Sequence, residues 1–152
     1  MSFKQKSIVV TLVNFSLILI FLLIRIFQFN QNGEFTSTNI FRLWGITIGL
    51  AIIVSIIGII MTQIASSVIE SIVSGGEEPE LDFFEDERDN LIDLKGAKMA
   101  SAFSSIGVLL AMLTFVFGHP PLVMFTLLIL FGIVAQIAGD ITRLVLYQRG
   151  LE

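Results

Sequence analysis

The sequence predicts an all-α integral membrane protein whose four transmembrane helices form two hairpins, and three observations carry that reading. The 152 residues are 55% hydrophobic and 14% charged, with a mean hydropathy of +0.90, whereas soluble domains are about 25% charged. Four apolar segments recur along the chain, each near the roughly 20 residues that a bilayer requires. Between the second and third lies a strongly acidic stretch, because most of the thirteen acids fall between Glu70 and Asp93. That length leaves no room for a separate soluble domain, so residues 1–152 read as one membrane domain and a pocketed cytosolic enzyme is excluded. Cysteine is absent, which removes disulfides and thiolate metal sites.

The first span, about 7–27, follows the basic start "MSFKQK". Its uncharged run is longer than a signal-peptide core, and no small-x-small site precedes Arg25, so it is expected to be an uncleaved anchor. The polar "NQNGEFTSTN" makes the first loop. The second span, about 43–69, belongs to an apolar segment of about 40 Å as helix, more than a bilayer's hydrocarbon, so it should tilt or project. Residues 70–96 form a cytoplasmic linker and acidic helix, the linker being marked by Gly75, Gly76 and Pro79. The third span, about 97–117, closes in the turn "GHPP", and the fourth runs over about 122–147.

Orientation follows from the basic residues. Lys4, Lys6, Arg88, Lys95, Lys98, Arg143 and Arg149 lie on one side, against Arg25 and Arg42 on the other. The positive-inside rule therefore puts both termini and the acidic segment in the cytoplasm of a cell whose plasma membrane holds the chain. Phe27, Phe29, Phe41 and Trp44 at the outer boundary and Tyr147 at the inner one suit interfacial anchoring. The hairpins read as possible copies: "QIASSVIESIV" (63–73) aligns with "QIAGDITRLVL" (136–146), and Lys6 and Lys98 each open a hairpin. A duplication of this kind would relate the halves by an axis along the membrane normal.

The acidic stretch carries the most chemistry. Asp82 with Glu85 three residues on suggests a capping box, so the sequence predicts a short amphipathic helix starting near Phe83, between spans 2 and 3. On it Asp82, Asp86, Asp89 and Asp93 share one stripe, while Phe84, Leu91 and Leu94 mark an apolar one. Such a stripe seeks cations, from Arg143, Arg149, Lys4 or Lys6 of the same chain, from a partner protein or from a divalent metal; otherwise it is solvated. The glycine and terminal glutamate of a calcium loop are missing, so no metal or cofactor is assigned. Arg88 completes the candidate interaction set as the internal partner of Glu85.

"DERDNLIDLKGAK" running into a span, with "YQRG" after the last one, resembles an uncharacterised prokaryotic domain-of-unknown-function family of small four-span membrane proteins with a D-E-R-x-x-x-I-x-x-K motif before the third span. The matching positions are Asp86, Glu87, Arg88, Ile92 and Lys95, then Tyr147, Arg149 and Gly150; Gly96 stands before Ala97 where the family places alanine directly. The resemblance implies an architecture and no activity.

Polar residues inside a membrane mark function or packing. Gln63 and Asp140 fall near a boundary, Asn14 and Gln136 deeper, and Asp140 with Arg143 is spaced for a local ion pair. Gly45 and Gly49, continued by Ala51 and Ser55, and Ala97, Ser101 and Ser105 form small-residue stripes suited to helix packing. His119, the only histidine, sits in a turn, and no nucleophile and base are paired. The reading is a non-enzymatic interaction or regulatory subunit, embedded in the lipid bilayer, with a homo-oligomer or membrane-protein partner and no nucleic acid. The alternative is a small oligomeric channel or transporter component lined by Gln63, Gln136 and Asp140.

Overall fold

A computed structural model describes residues 3–73 and 87–149, and apart from two short connections both stretches are α-helical. The helices are α1 (Phe3–Gln31), α2 (Ser37–Val73), α3 (Glu87–Val116) and α4 (Pro121–Arg149). All four are long and apolar enough to cross a membrane. In the most apolar window of each, only 11–22% of the residues are buried within the chain. Most of each apolar surface therefore faces outward, far more than a water-exposed monomer sustains.

Local chemistry fixes the helix ends. At the end of α1, Gly33 takes a left-handed φ of 67°, and the Glu34 N–H donates to the Phe29 carbonyl at 2.9 Å, which reverses the chain and satisfies a terminal carbonyl. Thr36 then caps α2: its carbonyl accepts from the Ile40 N–H at 3.0 Å and its hydroxyl from the Asn39 N–H at 3.5 Å. The α3–α4 turn repeats the device more completely. Gly118 (φ 85°) donates to Phe115 at 3.0 Å and His119 to Thr114 at 3.1 Å, and Pro121 opens α4 where a helix has no use for the missing N–H. Both connections lie at one end, here the loop end. Phe3 and Arg149 lie at the other, the terminal end.

α4 is the hub. It packs along its length against α3 and, on another side, against α1; α1 also holds α2, which touches α4 only slightly. A closed two-fold relation between the hairpins would set α3 against α2 as α1 is set against α4. No such packing exists among the described residues, so a duplication axis of that kind does not relate the two halves as they sit here.

Two packing chemistries divide the molecule. Around α1, α2 and α4, large side chains interlock: Ile18, Leu22, Phe29, Ile40, Leu43 and Ile133 form one buried cluster. Between α3 and α4 the contact is made by small residues, with Gly96, Gly107 and Ala111 buried on α3 and Ala135 and Gly139 on α4. A Cβ at Gly107 would overlap the Phe131 side chain, and one at Gly139 would stand 3.1 Å from both Ala100 Cβ and the Gly96 carbonyl. The backbones are therefore as close as glycine allows.

The acidic stretch is where sequence and structure differ most. Its described part, from Glu87 on, is the head of α3 and runs unbroken into the apolar segment, so α3 is 30 residues long. Nothing between Glu87 and Ala97 interrupts helical hydrogen bonding, and Glu87 and Asp89 in the first turn suit the positive end of the helix dipole. The expected cap at Asp82, the start near Phe83 and Asp86 lie outside the described residues.

Candidate functional site

At the terminal end three helices exchange charge. Asp89, in the first turn of α3, accepts from Tyr147 Oη of α4 at 2.9 Å through Oδ1 and faces Lys4 Nζ of α1 at 3.2 Å through Oδ2. One turn further, Asp93 Oδ1 accepts from Arg143 Nε at 3.1 Å. The same guanidinium sends Nη1 to Asp140 Oδ1 at 2.8 Å. Gln136, four residues before Asp140 on α4, donates Nε2 to both of its oxygens at 3.2 and 3.3 Å. Asp140 is 2% exposed, so a carboxylate out of reach of water is met by a guanidinium and an amide.

Backbone proximity builds this clasp. A Cβ at Gly96 would stand 2.8 Å from Arg143 Nε and 3.1 Å from the Gly139 carbonyl, so only glycine leaves Arg143 a path across α3 to Asp93. Arg143 and Arg149 sit in the last two turns of α4, where the helix dipole favours cations. Lys4 stands at the dipole's unfavourable end of α1, and the Asp89 carboxylate compensates it.

Below the clasp, a cavity of about 230 Å³ opens between α1, α2 and α4, lined by Ser7, Thr11, Asn14, Ser55 and Gln136 among others. Thr11 and Ser55 donate their hydroxyls to the carbonyls of Ser7 and Ala51 in their own helices, which turns oxygen lone pairs outward. Gln136 belongs both to this cavity and to the Asp140 contact.

The remaining residues singled out from sequence are more scattered. Arg88 is exposed at the head of α3 and Arg149 at the foot of α4, where Arg149 has no ion pair among the described residues. The side chain of Gln63 lies outside the described residues. A Cβ at Gly45 or Gly49 would meet nothing within 4 Å among the described residues, and Ser101 and Ser105 are exposed. The helix contact instead uses Gly96 and Ala100, one residue out of phase with Ala97, Ser101 and Ser105, against Ala135 and Gly139. That partner pattern, small residues four apart on both helices, is visible in the sequence; so is Tyr147, whose hydroxyl reads there only as an interfacial anchor. Among the described residues no group of three His, Cys, Asp or Glu side chains is placed to hold a metal ion.

No family model, curated protein or solved structure matches the chain. Of the motif positions, Asp86 and Gly150 lie outside the described residues.

Proposed function

We propose that the chain is a multi-pass membrane protein of the plasma membrane, with both termini cytoplasmic, and that it acts as a non-enzymatic interaction or regulatory subunit. The observation that supports this best is the clasp itself: the acidic head of α3 is engaged by Lys4, Arg143 and Tyr147 of the same chain. Its charges, Asp89, Asp93 and Asp140 against Lys4 and Arg143, leave one negative charge over. The clasp thus ties the head of α3 to α1 and α4 while still favouring a basic partner. The partly exposed Lys4–Asp89 and Arg143–Asp93 pairs contribute about 0–1 kcal/mol each and weaken with salt, so the engagement of the head of α3 is reversible by competition.

The test is a charge exchange read by protease protection of residues 74–98. Asp89→Lys lowers protection, and adding Lys4→Glu restores part of it. No restoration, or protection indifferent to high salt, sinks self-pairing as the mechanism. Topology is read separately: in a chain without native cysteine, single cysteines at Ser37 and Ser74 label from opposite membrane sides, Ser74 from the cytoplasm.

One observation favours a second reading, a channel or transporter component: the polar cavity that shares Gln136 with the buried Asp140. Reconstituted protein with selective ion flux, abolished by Asp140→Asn with the fold intact, would put that reading first.

A further inference from the structure

At the loop end, opposite the clasp, α1 and α2 enclose a groove of about 470 Å³. Its polar wall is Arg25, Arg42, Glu34 and Asn39. The apolar wall is formed by Phe21, Leu43 and Ile46, which continue along the helices away from the loop. Arg25 lies six residues from the end of α1 and Arg42 five from the start of α2, so both charges sit about 8–9 Å inside the helix ends. They are the basic residues of this half of the molecule, and among the described residues neither has an acidic partner. Arg25 Nη1 donates to Gln28 Oε1 at 3.0 Å and its guanidinium lies 5.1 Å over the Phe29 ring. Arg42 has no hydrogen bond or ion pair among the described residues.

We infer that this groove binds one phospholipid carrying an amine, with its phosphate between Arg25 and Arg42, its ammonium at Glu34 and an acyl chain along Phe21, Leu43 and Ile46. The inference rests on the membrane-spanning reading above. Two guanidinium groups without a carboxylate partner stand at the edge of the spans, and lipid phosphate is the anion present at that depth. Two cations facing one carboxylate match a headgroup with both signs better than they match a free anion. The apolar wall matches the chain that a free phosphate lacks.

The experiment is native mass spectrometry of the detergent-extracted full chain, equilibrated with phosphatidylethanolamine, phosphatidylglycerol and diacylglycerol in turn. Phosphatidylethanolamine is expected to be retained best. Retention should fall roughly tenfold in R25Q/R42Q, the loss expected when charge-assisted hydrogen bonds go. E34Q is expected to remove the preference over phosphatidylglycerol while leaving phospholipid bound. Equal retention of diacylglycerol would overturn the inference by leaving only an apolar groove. Displacement of the lipid by millimolar inorganic phosphate would overturn it in favour of a free anion. If cysteines at Ser37 and Ser74 label from opposite sides yet no phospholipid is retained, the inference fails and the spanning reading stands; if they label from one side, both fail.

Discussion

In the second hairpin Gly96, Gly107 and Gly139 bring two helices to backbone contact, whereas in the first Gly45 and Gly49 face open space and Leu22, Ile40 and Leu43 do the packing. The same residue type thus serves opposite ends. Where a glycine faces a neighbouring helix it permits close approach; where it faces outward it only weakens its own helix. The difference extends to the polar groups. The close approach in the second hairpin lets Arg143 cross to Asp93, and the aligned first-hairpin positions lack the parts: Lys4 stands for Gly96, Ser66 for Gly139, Ser67 for Asp140 and Glu70 for Arg143.

The sharpest way to break this contrast is to remove the cation from the second hairpin. Arg143→Gln leaves Asp140 buried with only Gln136 to meet it, and the loss of unfolding free energy in bicelles is expected to reach about 3–5 kcal/mol. A loss below that of an exposed pair would mean that Asp140 is held by the amide alone. Next in size, Gly107→Ala forces a methyl into Phe131 and should cost about 1–3 kcal/mol, while the first-hairpin cluster answers to Leu22→Ala with about 2 kcal/mol. The Leu22 figure is a cavity term only, since lipid is as apolar as the core it replaces. The smallest effects are expected at Gly45→Ala and Gly49→Ala, within about 0.5 kcal/mol either way by the same measurement, unless a second chain packs there. A loss as large as that of Gly107→Ala would reveal such a neighbour.

The four helices were legible because a run of apolar residues long enough to cross a bilayer declares itself without any periodicity. Their ends were less so. Hydropathy marks only the apolar stretch, while hydrogen bonding carries α1 from Phe3 to Gln31 and α3 back to Glu87, past where apolar side chains stop. Helix facing was the least legible feature. In water an amphipathic stripe tells which face is buried, but here outward positions such as Leu109 and Val116 are as apolar as buried Leu22 and Ile133, so the stripe disappears. That is why Ala97, Ser101 and Ser105 read as well as Gly96 and Ala100, one residue away. Within the clasp, Arg143 with Asp140 could be seen from spacing alone, whereas Lys4 with Asp89 and Tyr147 with Asp89 join residues 85 and 58 positions apart and needed the helices set side by side.

The position of α4 also bears on how the protein is made. α1 and α2 can pair as soon as both have left the ribosome, but α3 packs against neither of them and meets α1 only through the Lys4–Asp89 ion pair; the helix it packs against among the described residues is α4, which is synthesised after the other three. Until then α3 carries Asp93 without Arg143, and its glycine face has no helix against it. Assembly therefore ends in a single late step, in which insertion of α4 joins α3 to α1, and a chain halted in the turn before Pro121 holds one hairpin and one unpaired helix.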